Sequence, residues 1–276
     1  MTPAATTTDA GLTSARLSAT DLTVGYDAEP VISGLDVAIP DGQVTTVVGP
    51  NGCGKSTLLR SLARLLRPRS GTVLLDGTDI AGQKPRDVAR TLGLLPQNPI
   101  APEGLTVVDL VARGRHPHQS WYRQWSAGDE VAVATAMAMT GTDTLADRPV
   151  SALSGGQRQR VWIALTLAQE TDLLLLDEPT TFLDLAHAVD VLDLVHTLCA
   201  EHGKTIVMVL HDLNLAARYS DRLIVMRDGN VLTEGTPTDV VTPELLEAAF
   251  GLRSMVLIDP VSGGPLIVPL GRPHAA

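Results

Sequence analysis

The amino-acid sequence predicts an α/β chain: a mixed, largely parallel sheet, an N-terminal antiparallel β subdomain and an inserted α-helical subdomain. Three observations carry that expectation. Short charge-free runs, Val44–Val48, Leu173–Leu176 and Ile206–Leu210, are each followed by a helix-forming stretch. That alternation produces parallel strands with helices on both faces. Ala15 to Ile39 instead alternates in short apolar groups broken by turns, as antiparallel strands do. From about 98 to 168, helical patterns (TVVDLVARG, DEVAVATAMAM) run without a clear strand, punctuated by Pro and Gly.

In chain order, residues 1–14 carry neither a basic start nor an apolar stretch, so a flexible tail is expected and a secretory signal is not. Asp41-Gly42 is a turn signal, and the wholly β-branched run Val44–Val48 suits a strand buried on both faces. A helix is expected over Ser56–Leu66, closed by Pro68, and then a hairpin-like unit, Gly71–Gly77. Beyond the helical insertion come a strand at Leu173–Leu176, a helix over Leu185–His202, a strand at Ile206–Leu210, another helix, and paired strands around Arg222–Leu232. The stretch from about Gly251 is broken by Gly and Pro, and either packs as short strands or trails off.

Composition narrows the function classes. With 276 residues, 44% apolar and 19% charged, the chain can bury a sizeable core, which excludes a disordered chain or a disulfide-stapled mini-protein. At 3% aromatic content that core must be aliphatic. The net charge of −10 gives no general pull toward nucleic acid or anionic lipid, so any phosphate must be caught locally. Only Lys55, Lys84 and Lys204 are lysines. The longest apolar runs are too short to span a bilayer. Cys53 and Cys199 are too few for a disulfide framework, which fits a reducing compartment and a cytosolic chain.

The segment Gly49-Pro50-Asn51-Gly52-Cys53-Gly54-Lys55-Ser56-Thr57 satisfies G-x-x-x-x-G-K-[ST] in full. Glycines let backbone N–H groups turn inward around phosphates, and the helix that begins here adds its positive end. Lys55 would reach the β- and γ-phosphates of a nucleotide, and the Ser56 hydroxyl would ligate Mg²⁺. A chance glycine turn is the alternative; the buried strand before it and the helix after it favour the phosphate cradle. The Leu173–Leu176 run ends in Asp177-Glu178-Pro179. Carboxylates at the end of a buried strand are costly unless a cation or ligand compensates. Asp177 suits a Mg²⁺ position and Glu178 a general base that polarises attacking water. A third strand, Ile206–Leu210, ends at His211, a candidate γ-phosphate contact. Ligands bind outside the carboxyl ends of such strands, so one nucleotide site would collect all three.

Leu153-Ser154-Gly155-Gly156-Gln157, followed by Arg158 and Arg160, forms a second anion-binding corner at a helix start. One nucleotide does not need two full cradles. This LSGGQ, placed before DEP and after the glycine-rich loop, resembles the ATP-binding subunits of ABC transporters over nearly the whole chain. The resemblance implies a P-loop NTPase core over 15–250, with the helical subdomain at about 98–168 inserted and 251–276 as a short C-terminal extension. It implies ATP and Mg²⁺ as ligands and a head-to-tail pairing of two copies. Ser154, Gly155, Gly156 and Gln157 would then act on the partner's nucleotide. It further implies that Gln97, in LLPQNP, touches Mg²⁺ and senses a membrane partner, that Asp184 crosses the dimer interface, and that Tyr26 stacks on adenine. No catalytic position is missing.

Three segments, Gly114–Gln119, Thr180–Val195 and Val209–Asp221, resemble the subunits that power ferric siderophore uptake. Haem and vitamin B12 importers carry similar wording. The expectation is therefore a peripheral ATPase on the cytoplasmic face of the membrane. It would drive a separate permease and, indirectly, a substrate-binding protein outside. A soluble ABC ATPase acting on ribosomes or DNA ends is the rival. A single cassette, a short insertion and the negative charge disfavour it, and no nucleic-acid partner is expected. His116 and His118 have no neighbouring acid or Cys and are not expected to bind metal. Trp121, Tyr122 and Trp125 are either partner contacts or local packing. Cys53 is expected as a small residue in the loop rather than a redox switch, and Cys199 as helix core.

Overall fold

Residues 15–26, 29–119 and 125–271 are described in a computed structural model of the chain. The chain forms two units, one from Met1–Gly82 with Val207–Ala276 and the other from Gln83–Ile206. Unit one opens with β1 (Leu17–Val24) and β2 (Ile32–Ile39), which pair antiparallel, as their alternation predicts. Then come β3 (Val44–Val48), α1 (Lys55–Leu62), β4 (Ser70–Leu75) and the two-residue β5 (Thr78–Asp79). One four-stranded sheet in this unit runs β2-β1-β4-β5. All five residues of β3 are buried, the outcome expected of a charge-free β-branched run.

The helix expected to reach Leu66 stops at Leu62. Arg64 takes a left-handed φ of 60°, and the Leu65 and Leu66 amides donate back to the Arg60 carbonyl. These bonds close the helix without the glycine that usually occupies such a position.

Unit two contains α2 (Pro85–Thr91), β6 (Leu92–Leu95), α3 (Val107–Ala112), α4 (Ala127–Met139), α5 (Gly155–Ala168), β7 (Leu173–Asp177) and α6 (Leu185–Ala200). β6 and β7 pair parallel, with Leu95 opposite Leu176. Between β6 and α5 the described residues form no strand, apart from a single bridge, Thr106 to Pro149. α3 and α4 start with reciprocal capping boxes, Thr106 with Asp109 and Ser126 with Asp129. α6 ends two residues short of the expected His202, because Gly203 adopts a φ of 63° and donates to the Cys199 carbonyl. Cys199, expected in the helix core, is only half-buried.

β8 (Thr205–Val209) carries the chain from unit two back into unit one. Its first amide, Thr205, donates to the Asp172 carbonyl in unit two, and the Leu210 amide just past it donates to Val47 in unit one. Unit one then adds α7 (Leu213–Tyr219), β9 (Arg222–Arg227), β10 (Asn230–Gly235), α8 (Pro237–Val240) and α9 (Pro243–Phe250). β9 lies parallel to β3 and antiparallel to β10. The C-terminal stretch forms an antiparallel hairpin of β11 (Arg253–Ile258) and β12 (Pro265–Gly271). The core of both units is aliphatic, dominated by Leu, Val and Ile. No helix among the described residues is long and apolar enough to cross a membrane.

Candidate functional site

In unit one the glycine-rich loop leaves β3 at Gly49, where no side chain fits: a Cβ there would overlap the Met226 carbonyl oxygen. Gly54 caps α1 with a φ of 101°, a conformation that favours glycine, and no side chain caps the helix. The loop runs directly into the positive end of α1, which favours an anion there. Lys55 is buried, 6% exposed, and its Nζ donates to the Gly49 and Pro50 carbonyls at 2.8 and 2.9 Å. A buried ammonium held only on carbonyl oxygens is costly, and a polyanion in the loop would offset that cost. Thr57 is buried and Ser56 half-buried on the first turn, while Pro50, Asn51 and Gly52 form the outer rim. Burial pushes the Cys53 thiol up, with the Lys55 charge opposing in part. That disfavours the thiolate and leaves Cys53 as a packing residue, whose carbonyl accepts from the Gly229 amide.

Tyr26 and His211 belong to the same unit. Tyr26 is 55% exposed, and its hydroxyl accepts from Arg60 Nη1 at 3.1 Å, so the ring is held and its surface left open. His211 is exposed and follows Leu210, whose amide is bonded to Val47. It therefore sits beyond the end of β8 beside the end of β3 from which Gly49 departs. The structure brings His211 and the loop to one edge of unit one.

In unit two, β7 delivers Asp177 and Glu178, 1% and 8% exposed. Glu178 adopts a left-handed φ of 56°, a strained conformation that turns the chain sharply out of the strand. Thr181 Oγ1 donates to Glu178 Oε2 at 2.8 Å and orients the carboxylate. Gln97 lies two residues past Leu95, whose register partner is Leu176. Gln97, Asp177 and Glu178 thus share the carboxyl edge of two adjacent parallel strands. Their oxygen donors are hard ligands of the kind Mg²⁺ takes, and the same holds for the Ser56 hydroxyl in unit one. The donor chemistry fits the ion.

A second cluster in unit two joins the starts of α5 and α6. Ser154 Oγ accepts from the Gln157 amide, and Gln157 Oε1 accepts from the Ser154 amide, a reciprocal cap. A Cβ on Gly156 would overlap the His187 ring. His187 in turn donates its amide to Asp184 Oδ1 at 2.9 Å, with Nδ1 at 2.8 Å from the same oxygen. These bonds to the N-cap of α6 hold the Asp184 carboxyl below the usual carboxylate range. Beside this cluster Phe182 is 90% exposed and Leu185 69% exposed. His187 and Phe182 are functional candidates that sequence reasoning missed, because Gly156 and His187 meet only through tertiary packing.

Gly114–Gln119 proves to be a structural fastening. Buried Arg115 pairs with Asp129 at 2.8 Å and Glu170 at 2.7 Å, and donates to the Ala168 carbonyl. The guanidinium, together with the Ser126 hydroxyl, holds the Asp129 carboxyl below its ordinary value. His118 Nε2 lies 2.7 Å from the Gln169 carbonyl, so this ring has a hydrogen-bonding role. Next to Gln97 in sequence, a cavity of about 640 Å³ is lined by Pro99, Ile100, Leu105, Arg158 and Trp162. Trp125 is exposed; Trp121 and Tyr122 lie outside the described residues.

Comparison with known proteins agrees with these motifs. Residues 32–181 match the ABC transporter family. The chain is similar to the ferric enterobactin transport ATP-binding protein of Escherichia coli (strain K12), with 54% identity over 94% of this chain and 95% of the relative. Among solved structures it is similar to an inward-facing metal-chelate type ABC transporter, with a TM-score of 0.80 and 31% identity over 92% of this chain and 97% of the other. It is also similar to a dimeric bacterial ABC transporter cassette, with a TM-score of 0.70 and 29% identity over 80% of this chain and 98% of the other.

Proposed function

The chain belongs to the ABC transporter family, and from that premise we propose that it is the ATP-hydrolysing subunit of a ferric siderophore importer, working on a separate permease. The observation that carries the ATPase reading is Lys55, buried inside a glycine loop whose helix start has no side-chain cap. The siderophore cargo rests on the 54% identity to a ferric enterobactin transport subunit and favours ferric siderophore over haem or vitamin B12.

The residues divide the work. The loop Gly49–Thr57 wraps the phosphates with backbone N–H groups, and Lys55 exchanges its carbonyl partners for β- and γ-phosphate oxygens. Tyr26 offers its open face to the adenine. Mg²⁺, when bound, neutralises charge on the phosphate oxygens; Ser56, Gln97 and Asp177 would hold it. Glu178, fixed by Thr181, polarises the water that attacks the γ-phosphorus, and His211 steadies the γ-phosphate as charge shifts. Positioning and charge neutralisation supply most of the rate.

Two partners complete the reading. The Ser154–Gln157 and Asp184 cluster, exposed at Ser154, Gly155 and Asp184 and flanked by Phe182 and Leu185, presents itself to the nucleotide of a second copy. The groove lined by Ile100, 88% exposed, and Trp162 receives a cytoplasmic segment of the permease. The buried Trp162 Nε1, without an acceptor among the described residues, awaits one from that segment. The protein then works peripherally on the cytoplasmic face of the membrane.

A strain lacking the chain is expected to lose growth on ferric siderophore as sole iron source. The parental chain should restore it and Glu178→Gln should not, while purified Glu178→Gln holds ATP as a dimer with little turnover. Unimpaired siderophore uptake in the deletion strain contradicts the cargo. Rapid steady hydrolysis by Glu178→Gln contradicts its role as base.

A further inference from the structure

The C-terminal hairpin lies outside every role assigned above, yet it is bonded to the segment directly behind His211. Asp212 caps α7, its Oδ1 accepting from the Asn214 and Leu215 amides at 2.8 and 2.9 Å. The residue after His211 is thereby joined to the first turn of α7. With only seven residues, α7 has little helical stability of its own, so its place is set by what it docks against. It docks against β12. The Asn214 side chain donates from Nδ2 to the Ile267 carbonyl at 3.2 Å, and its Oδ1 accepts from the Ile267 amide at 2.8 Å. One side-chain amide thus satisfies both backbone groups of a single strand residue, as a neighbouring strand would. Ile267 itself is 4% exposed, and the far strand of the hairpin packs on α9.

We propose that Asn214 is a positioning residue for His211, clamping α7 to β12 so that the C-terminal hairpin sets where His211 stands; this rests on the reading of His211 as the γ-phosphate contact. Apolar packing alone would let a short helix slide or rotate. Two opposed hydrogen bonds to one residue fix both the rotation and the translation of α7. Small displacements matter here, because a misplacement of about 1 Å in a catalytic group costs on the order of a hundredfold in rate. Asn is the residue type this geometry needs. Asp has no donor for the Ile267 carbonyl, and Ala has neither group.

The test uses the full chain and four variants: Asn214→Ala, Asn214→Asp, Ile267→Pro and His211→Ala. Asn214→Ala should lower kcat for ATP hydrolysis about tenfold with the KM for ATP within about twofold, since the glycine loop and Tyr26 are untouched. Amide exchange across Leu213–Tyr219 should rise while exchange across α1 stays at its parental level. Ile267→Pro deletes the strand N–H and should give the same signature, and combining it with Asn214→Ala should add little. Asn214→Asp keeps one of the two bonds and should fall between. If His211→Ala hydrolyses ATP at the parental rate, the reading of His211 fails. If His211→Ala is slow but Asn214→Ala runs at the parental rate, the clamp is overturned and the role of His211 stands. A KM that rises as far as kcat falls, or faster exchange in α1 as well, also overturns the clamp.

Discussion

The glycine-bearing starts of α1 and α5 are built in opposite ways. At α1 the cap is Gly54, which makes no side-chain cap bond, and the adjacent lysine is buried on backbone carbonyls. At α5 the cap is Ser154, bonded reciprocally with Gln157, and both Ser154 and Gly155 are exposed. The first has no side-chain cap, whereas the second is capped reciprocally and faces outward at Ser154 and Gly155. That difference teaches what each is for. In the function proposed above, α1 holds a phosphate chain within its own unit. α5 offers a finished, close-approach surface to another body, and the exposed Phe182 and Leu185 extend that surface.

The largest expected effect separates the two ends directly. Lys55→Ala should weaken nucleotide binding to the isolated chain and lower hydrolysis by about a thousandfold or more, because it removes a charge from the phosphate cradle. Titration calorimetry with ATP checks the first part and phosphate release the second. Parental ATP affinity in Lys55→Ala would break the assignment of α1.

Next comes the platform under α5. Arg115→Met leaves Asp129 buried without its main partner and should cost about 3 kcal/mol in stability, read by chemical denaturation. The Asp129 carboxyl is depressed in the folded chain by Arg115, so its stabilising contribution is full above about pH 4 and fades as the pH falls below that. Arg115→Met should therefore flatten the acid side of the stability profile. The smallest effect belongs to Tyr26→Ala, which should raise the KM for ATP about three- to tenfold with kcat nearly kept, since an exposed stacking contact adds about 1 kcal/mol. A lowered kcat with unchanged KM would move Tyr26 out of the binding role.

Most of the fold was legible in the sequence because local chemistry dictates it, and so were the motifs on which the proposed nucleotide site rests. The charge-free, β-branched Val44–Val48 reads as a buried strand, and glycines at 49 and 54 before a lysine match a phosphate-binding loop. What was not legible depends on tertiary packing or on backbone strain. α1 ends early because Arg64 turns left-handed, at a residue type that gives no warning. Glu178 is aimed by the same kind of turn, at φ 56°. Gly156 needs its missing Cβ because of His187, and Asn214 bonds to Ile267, both far away in sequence. His118 is tied to the Gln169 carbonyl, and nothing within the GRHPHQ segment names that partner.

The central claim is that the glycine-capped start of α1 and the finished start of α5 serve one ATP site drawn from two copies of the chain. Mixing separately purified Lys55→Ala and Ser154→Arg chains tests it most directly. Each alone is expected to be inactive, the first lacking its phosphate cradle and the second blocked at its presented surface. If sites are shared, about half of the dimers in an equal mixture are heterodimers, each with one intact site, and hydrolysis returns to about a quarter of the parental rate. A mixture that stays as inactive as its components, while still dimerising on ATP, would contradict the claim.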